Sequence, residues 1–241
     1  MAKKTKKPTP RQALTTRFHP LRFLRRWTIR MVLVLAALVS LTVFAHRVIN
    51  PTFGHYMRTE DRRLGDVDHH WVPLENIATV MARSAVAAED ANFCTHWGFD
   101  LNAIRAALDE GSGRGASTIS QQVVKNVYLW HGHSWLRKAL EAVLTPMVEA
   151  MWSKRRIVEV YLNVAEFDEG VFGIEAASRH YFSIGPEALS AVQAARLAAV
   201  LPSPKTRSAS EPSDRTRRRA AQILDGAATI RADGRAACFE D

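Results

Sequence analysis

The sequence predicts a mainly α-helical domain preceded by one membrane-spanning helix, and three observations lead to this fold class. A charge-free run, "MVLVLAALVSLTVFA" at residues 31–45, follows a basic N-terminal stretch. Beyond it, most segments place apolar residues at helical spacing. No alternating strand pattern persists beyond about five residues. At 241 residues and 47% apolar composition, the chain can hold one sizeable domain plus an appendage.

The N-terminal region predicts a membrane anchor and its orientation. Residues 1–26 carry nine Lys or Arg and no acidic residue, so they form a basic cytoplasmic tail. Residues 27–49 reach the length of roughly 20 residues that a bilayer crossing needs, with Arg30 able to snorkel. Residues 50–241 then form an extracytoplasmic domain. A cleaved signal peptide is the alternative, but the run is long and no clear A-x-A site follows it.

Charge and cysteine content limit the possible partners. The formal net charge of +9 could indicate nucleic-acid binding. Because the basic tail adjoins an apolar span, membrane topology and attraction to anionic lipid explain it better, and we expect no nucleic-acid partner. Cys94 and Cys238 are the only cysteines, and one lies inside a candidate motif, so we do not expect a bridge between them. No metal-ligand pattern is present.

The remaining segments predict the order of the elements. Residues 49–71 show little periodicity and are interpreted as a connector. Pro146 should bend or divide the long helical segment that contains it. A further helix begins with Ser213 or Asp214 as its N-cap. Helices are predicted in 74–90, 100–111, 134–167, 173–182, 186–201 and 213–230.

Glu89 is the first candidate for chemistry. It ends an Ala-rich apolar helix, so its carboxylate could lie in apolar surroundings. Burial raises the pKa of a carboxyl group, which suits a general acid or base that works near neutral pH. The structural alternative is that Glu89 and Asp90 only end a helix beside a structural His96, and the residues alone favour this alternative.

The stretch "GRGASTISQQVVKN", residues 113–126, predicts a polar wall of a cleft. Thr118 and Gln121 match a capping box at the start of a helix. Free N–H groups at a helix start, hydroxyls, amides and a lysine suit a phosphate or a sugar. The polar side chains fall on two adjacent helical rows: Ser117, Gln121 and Lys125, and beside them Gln122 and Asn126.

The segment "RKALE" supplies a second carboxylate. Arg137 and Glu141 lie four residues apart on one helical face, with Lys138 beside them. An ordinary surface salt bridge worth a few tenths of a kcal/mol is a strong alternative. One carboxylate in apolar surroundings and a second held by cations is nevertheless the usual division of roles in glycosyl chemistry.

At this point the motifs resemble a known family. "EDANFCTHWGFD", "GASTISQQVVKN", "RKALE" and "KRRIVEVYLNVAEF" with "GVFGIEAASRHYF" are similar, in order and spacing, to the signature motifs of the peptidoglycan glycosyltransferases of family 51. The resemblance runs from about residue 72 to about residue 204. The short chain with one anchor resembles the monofunctional members of that family. No S-x-x-K or K-T-G motif is found, so we expect no peptide crosslinking.

The resemblance implies a fold and a reaction. The fold would be a larger lysozyme-like lobe with a smaller, membrane-associated jaw. The enzyme would polymerise lipid II into β-1,4-linked glycan, with inversion at MurNAc C1 and release of undecaprenyl diphosphate. Glu89 matches the general base and Glu141 the second essential carboxylate, whose role stays open. The residues matched to substrate binding are Ser117, Thr118, Gln121, Gln122, Lys125, Asn126, Arg137 and Lys138.

Further expectations follow from the resemblance. The chain would be a single-pass protein of the inner membrane, with its N-terminus inside and its catalytic domain in the periplasm. Lipid II, the growing glycan and the membrane would be partners, and other proteins of cell-wall synthesis or division could join them. No cofactor is required, although a divalent cation could stimulate. Asp168 stands where the family commonly has glycine, which puts the geometry of that presumed turn in doubt.

Two rival functions remain. A lysozyme-like lytic enzyme can work with one key glutamate, but it needs neither a cationic diphosphate site nor an anchor beside it. A non-catalytic scaffold of the cell-wall machinery would not need an intact Glu89 and Glu141.

Overall fold

The fold is that of a computed structural model, which describes residues 20–51, 53–109, 117–132 and 134–240. The chain divides into two compact units, Met1–Leu41 and Thr42–Asp241. Helix α1 covers Pro20–Ala45. Its segment Leu21–Ala45 is long and apolar enough, by length and composition, to cross a membrane. The expected span ran to residue 49, whereas the helix ends at Ala45.

The second unit is built mainly of helices, which confirms the predicted fold class. Three very short strands, β1 (Asp68–His69), β2 (Glu166–Asp168) and β3 (Val171–Phe172), form a sheet of order β1-β3-β2 with a parallel and an antiparallel pair. The helices are α2 (His55–Leu64), α3 (Thr79–Glu89), α4 (Leu101–Asp109), α5 (Ile119–Tyr128), α6 (Trp135–Met151), α7 (Lys154–Val164), α8 (Gly173–Phe182), α9 (Ala191–Val200), α10 (Asp214–Ala232) and α11 (Ala237–Glu240).

Two groups of helices form the core. Helices α3, α9 and α10 pack on one another, and α5 packs on α6 and α7. Met81 and Leu197 are fully buried in the first group, as are Val123 and Ile157 in the second. Each large apolar side chain buried in this way contributes roughly 1.5–3 kcal/mol. The many alanines of α3 and α9 let these helices approach closely, which brings the end of α3 near the other group.

The structure differs in two respects from the helices expected from the sequence. The presumed connector contains α2, a highly charged helix that begins after Gly54 and ends at Gly65, a left-handed C-cap with φ of 91°. Because α2 contains few apolar residues, its sequence does not show the apolar spacing that is typical of a helix. Pro146 does not divide its helix, because it lies on the exposed side, where water can satisfy the carbonyl group that loses its N–H partner. The break comes at Ser153, which caps α7 by accepting from Arg156 N.

The two cysteines are bonded, contrary to the expectation from their positions. Cys94 and Cys238 form a disulfide across a sequence separation of 144 residues. Cys94 lies in a short 3-10 helix, Phe93–Thr95, and Cys238 in α11. Sequence spacing could not predict this pair, because the packing of α11 against the 3-10 helix brings the two residues together.

Candidate active site

Helix α5 begins with the predicted capping box. The Thr118 side chain accepts from Gln121 N, and the Gln121 side chain accepts from Thr118 N. Thr118 Oγ1 also donates to the Gly98 carbonyl at 2.7 Å. The helix begins at Ile119, so Ser117 lies before it and is exposed, and it is not part of the predicted helical row. Thr118 therefore orients α5 and has no free hydroxyl for a ligand.

Two adjacent amides of α5 reach the two candidate carboxylates. Gln121 Nε2 donates to Glu141 Oε1 at 3.3 Å. Gln122 Nε2 donates to Glu89 Oε2 at 3.0 Å. Glu89 comes from the end of α3 and Glu141 from α6, so α5 connects carboxylates that belong to the two helix groups. The structure thus brings together the residues that the sequence predicted from separate motifs.

Glu141 is held by cations in a buried position. Its side chain accepts from Arg137 Nη1 at 2.9 Å and from Lys138 Nζ. Glu141 is only 2% exposed. The predicted ion pair between Arg137 and Glu141 is therefore present. It is buried, whereas the alternative interpretation was an ordinary salt bridge on the surface. Both cations are committed to this carboxylate in the described structure.

Glu89 has different surroundings. Its side chain is 14% exposed, and burial raises the pKa of this carboxyl group above its ordinary value. The Gln122 amide and the positive charges of Arg219, Lys125 and Arg207 oppose this rise. Arg219 Nη2 lies 3.5 Å from Glu89 Oε1, at the limit of a hydrogen bond. The pKa of Glu89 is therefore shifted in the direction that suits a general base working near neutral pH.

Lys125 lines a cavity of about 340 Å³, whose wall also includes Gln122, the hydrogen-bond partner of Glu89, but neither Glu89 nor Glu141 itself. Burial lowers the pKa of the Lys125 ammonium group, and the charges of Glu141 and Glu89 oppose this. Within the described parts of the chain, Lys125 Nζ makes no ion pair or hydrogen bond. Glu166 also lines this cavity, but its carboxylate already contacts Lys205 and Tyr56. The half-buried Lys125 has no such partner and is available to an anionic ligand.

Other residues complete the cavity wall. Asn126 and Gln122 line it beside Lys125, and Asn126 Oδ1 lies 3.2 Å from His131 Nε2. His131 stacks on Tyr56 with ring centroids 3.5 Å apart. Burial, helped by the charges of Lys125 and Arg137, lowers the pKa of His131 to about 4, so its ring is neutral near pH 7.

Several site residues escaped sequence reasoning. Arg219 and Arg207 face Glu89 from α10 and from the segment before it, which the sequence marks only as a helix and a loop. The Nε atom of Arg219 is buried and has no hydrogen-bond partner in the part of the chain that the structure describes. Asp90, read only as a helix end, accepts from Ile119 N at 3.0 Å and so joins α3 to the start of α5. No local signal identifies these contacts.

Asp168 is the last residue of β2, although a turn was expected at this position. Its Oδ2 atom accepts from Tyr181 Oη at 2.9 Å and lies 3.2 Å from His180 Nε2, so the carboxylate is used to fix α8. No cluster of three potential metal ligands occurs among the described residues.

The site defines a class of protein. The arrangement combines a carboxylate whose pKa is raised by burial, a second carboxylate held by cations and an ammonium group without an ion pair on a cavity wall. Such an arrangement suits acid/base chemistry on an anionic substrate. The chain belongs to the transglycosylase family, whose model matches residues 57–228.

Named relatives match nearly the whole chain. One from Jannaschia sp. (strain CCS1) is 54% identical over 238 residues, covering 99% of this chain and 98% of its own. One from Pseudomonas fluorescens (strain SBW25) is 45% identical, covering 89% and 93%. One from Pasteurella multocida (strain Pm70) is 42% identical, covering 92% of each. All three are named biosynthetic peptidoglycan transglycosylases.

Proposed function

We propose that this protein is a peptidoglycan glycosyltransferase that polymerises lipid II into β-1,4-linked glycan strands. The names of its relatives support the peptidoglycan substrate. The observation that carries the proposal is the environment of Lys125, a half-buried cation on a cavity wall with no ion pair in the described structure. A hydrolase has no need of such a cation, whereas a transferase that expels a diphosphate does.

The proposed reaction is a single displacement with inversion. Glu89 takes the proton from the 4-hydroxyl of the acceptor GlcNAc as that oxygen attacks C1 of the donor MurNAc. The new O4–C1 bond forms while the bond from C1 to the diphosphate oxygen breaks, and its electron pair leaves with undecaprenyl diphosphate. Lys125 offsets the negative charge that develops on this leaving group. The displacement needs no cofactor and no covalent enzyme intermediate.

The roles of the other cations follow from their contacts. Because Arg137 and Lys138 already pair with Glu141, their first effect is to hold that carboxylate in place. The Lys138 side chain is 46% exposed and the Arg137 side chain 14%, so Lys138 has more surface available to the diphosphate. Glu141 accepts a hydrogen bond of 3.3 Å from Gln121 and so helps to hold α5 in its position beside the cavity.

We also propose that the protein is anchored in the inner membrane with its domain in the periplasm. Helix α1 and the basic residues before it support this topology. The Cys94–Cys238 disulfide supports an oxidising compartment for the domain. Exposed apolar residues on α4 and at the start of α6 support a membrane-facing jaw, among them Leu108, 76% exposed, and Trp135, 93% exposed.

Protease added to spheroplasts tests the topology. Digestion should remove the domain from residue 50 onward while residues 1–26 stay protected. Protection of the domain would refute the proposed orientation. Association with other cell-wall proteins stays a prediction, which crosslinking in cells can examine.

The function is tested with detergent-solubilised full-length protein and labelled lipid II, with products sized on a gel and Glu89→Gln alongside. A ladder of long glycan from the unmodified protein only would support both the polymerase and the role of Glu89. Shortening of preformed glycan, without new polymer, would indicate a lytic enzyme. Neither activity would indicate a scaffold. Addition of a chelator in parallel tests whether a divalent cation contributes.

A further inference from the structure

The turn that follows Glu89 is held by a segment far away in sequence. Helix α3 ends at Glu89, and residues 90–96 then pass through the short 3-10 helix Phe93–Thr95. The segment 233–240 lies against this turn and includes α11. This segment lies beyond residue 228, where the match to the family model ends. The turn 90–96 lies inside the range that the family model matches, whereas the segment 233–240 lies outside it.

Three contacts join the segment to the turn. The Cys94–Cys238 disulfide links them covalently. Arg235 Nη1 donates to the Ala91 carbonyl at 3.1 Å. Phe93 and Phe239, both almost fully buried, lie with their ring centroids 6.3 Å apart.

The same segment is also tied to the helix that carries Glu89. Arg83 of α3 donates from Nε to Glu240 Oε1 at 2.6 Å. Arg155 of α7 donates from Nη1 to the Phe239 carbonyl at 3.3 Å. The segment 233–240 thus contacts α3 itself, the turn after Glu89 and the neighbouring α7. Displacement of this segment would release the turn on one side of Glu89.

We propose that the segment 233–240, closed on the turn 90–96 by the Cys94–Cys238 disulfide, positions Glu89, so that glycosyl transfer depends on the oxidised state of this pair. The inference rests on the proposed function. Cys94 and Cys238 are positioning residues here, since they act on the reaction through Glu89. Both are half-buried, so a small reductant can reach them.

The redox step is an exchange between dithiol and disulfide. One cysteine thiolate attacks a disulfide-bearing oxidant outside the cytoplasm, and the second thiolate then displaces the oxidant from the mixed disulfide. The protein loses two electrons and two protons, and the oxidant leaves as a dithiol. A small dithiol such as dithiothreitol reverses the step and is itself oxidised to a cyclic disulfide.

The test compares the oxidised and reduced forms of the full-length protein in detergent. Because the chain has only two cysteines, dithiothreitol can act on no other pair. Thiol alkylation followed by mass measurement reports the redox state, and labelled lipid II gives kcat and KM separately. We expect reduction to lower kcat by roughly 5–100-fold, as a misplaced catalytic group would, with KM changed much less. Reoxidation should restore kcat.

The matched control is the double variant Cys94→Ala with Cys238→Ala. Its kcat should equal that of the reduced protein and should not respond to dithiothreitol. If this variant does not fold, the comparison of oxidised and reduced wild type is sufficient, with circular dichroism recorded at the assay temperature to establish that both forms are folded.

A pH profile separates positioning from simple stabilisation. A released turn admits water to Glu89 and weakens the desolvation that raises its pKa, so the acid limb of kcat/KM should move to lower pH on reduction. Asp90 of the turn accepts from Ile119 N and so links the turn to the start of α5. The other groups that face Glu89 lie outside the turn. They are Gln122 and Lys125 of α5, Tyr161 of α7, Arg219 of α10 and Arg207.

Other outcomes would overturn the inference. One such outcome is that reduction lowers Tm but changes neither kcat nor the position of the acid limb. The disulfide would then stabilise the fold without positioning Glu89. Free thiols in protein isolated from the periplasm would also overturn it. If the oxidised wild type makes no polymer at all, the proposed function fails, and the inference fails with it.

Discussion

Glu89 and Glu141 are both buried carboxylates, yet their surroundings differ in kind. Glu141 lies against Arg137 and Lys138, so two positive charges contact its carboxylate. Glu89 has one amide donor at 3.0 Å and an arginine at the margin of hydrogen-bond distance, so burial dominates and raises its pKa. The difference shows how one site can hold a carboxylate whose pKa is raised by burial beside one that two cations contact.

The largest expected effect comes from removing the carboxylate of Glu89. Glu89→Gln should lower kcat for polymerisation by roughly 10²–10⁴-fold, the range for loss of a general base. The matched control is Glu75→Gln, a change at an exposed glutamate on a 3-10 turn. A variant with more than a tenth of normal kcat would show that Glu89 is not the base.

Loss of the uncommitted cation should come next. Lys125→Ala should lower kcat/KM by an amount equivalent to roughly 2–4 kcal/mol of transition-state stabilisation, by analogy with an oxyanion-hole donor. Arg217→Ala, which removes an exposed cation of α10, serves as the control. An unchanged kcat/KM on lipid II would refute the role of Lys125 at the leaving group.

The two carboxylates should also differ in their effect on stability. Glu141→Gln leaves Arg137 and Lys138 without their anion and should lower the free energy of unfolding by about 1–3 kcal/mol. Glu89→Gln should not lower it at pH 7. Since the folded state raises the pKa of Glu89, the ionised form costs stability once pH rises above the unfolded value, and a neutral amide removes that cost. Urea denaturation of both variants measures the contrast, and equal destabilisation by the two would contradict it.

The smallest effect is expected from the amide beside Glu89. Gln122 donates to the charged form of the carboxylate and so lowers its pKa. Gln122→Leu should therefore raise this pKa further and move the acid limb of kcat/KM to higher pH, while the plateau changes less. A limb that stays in place would mean that Gln122 does not contact the ionised base during the reaction.

Much of the site was predictable because its signals are local. The capping box depends on the spacing of Thr118 and Gln121, and the Arg137–Glu141 pair on the helical period. The motif resemblance placed Glu89, Lys125 and Glu141 in one site before any packing was known. The assignment of their roles stays a prediction until the variants are measured.

Some errors show where local signals compete. Pro146 suggested a helix break, but an exposed position let water replace the missing hydrogen bond, and the Ser153 cap set the break instead. The charged helix α2 has too few apolar residues to display a period, so its sequence was read as a connector.

The sequence by itself determined the apolar span, the helical class and the residue types of the site, because these depend on composition and on spacings within a few residues. Only the tertiary structure decided which groups meet. Arg219 at Glu89 and Cys238 at Cys94 are separated by 130 and 144 residues. Contacts over such distances follow from the packing of α10 and α11, which no local pattern encodes, and the same packing determines the burial that raises the pKa of Glu89.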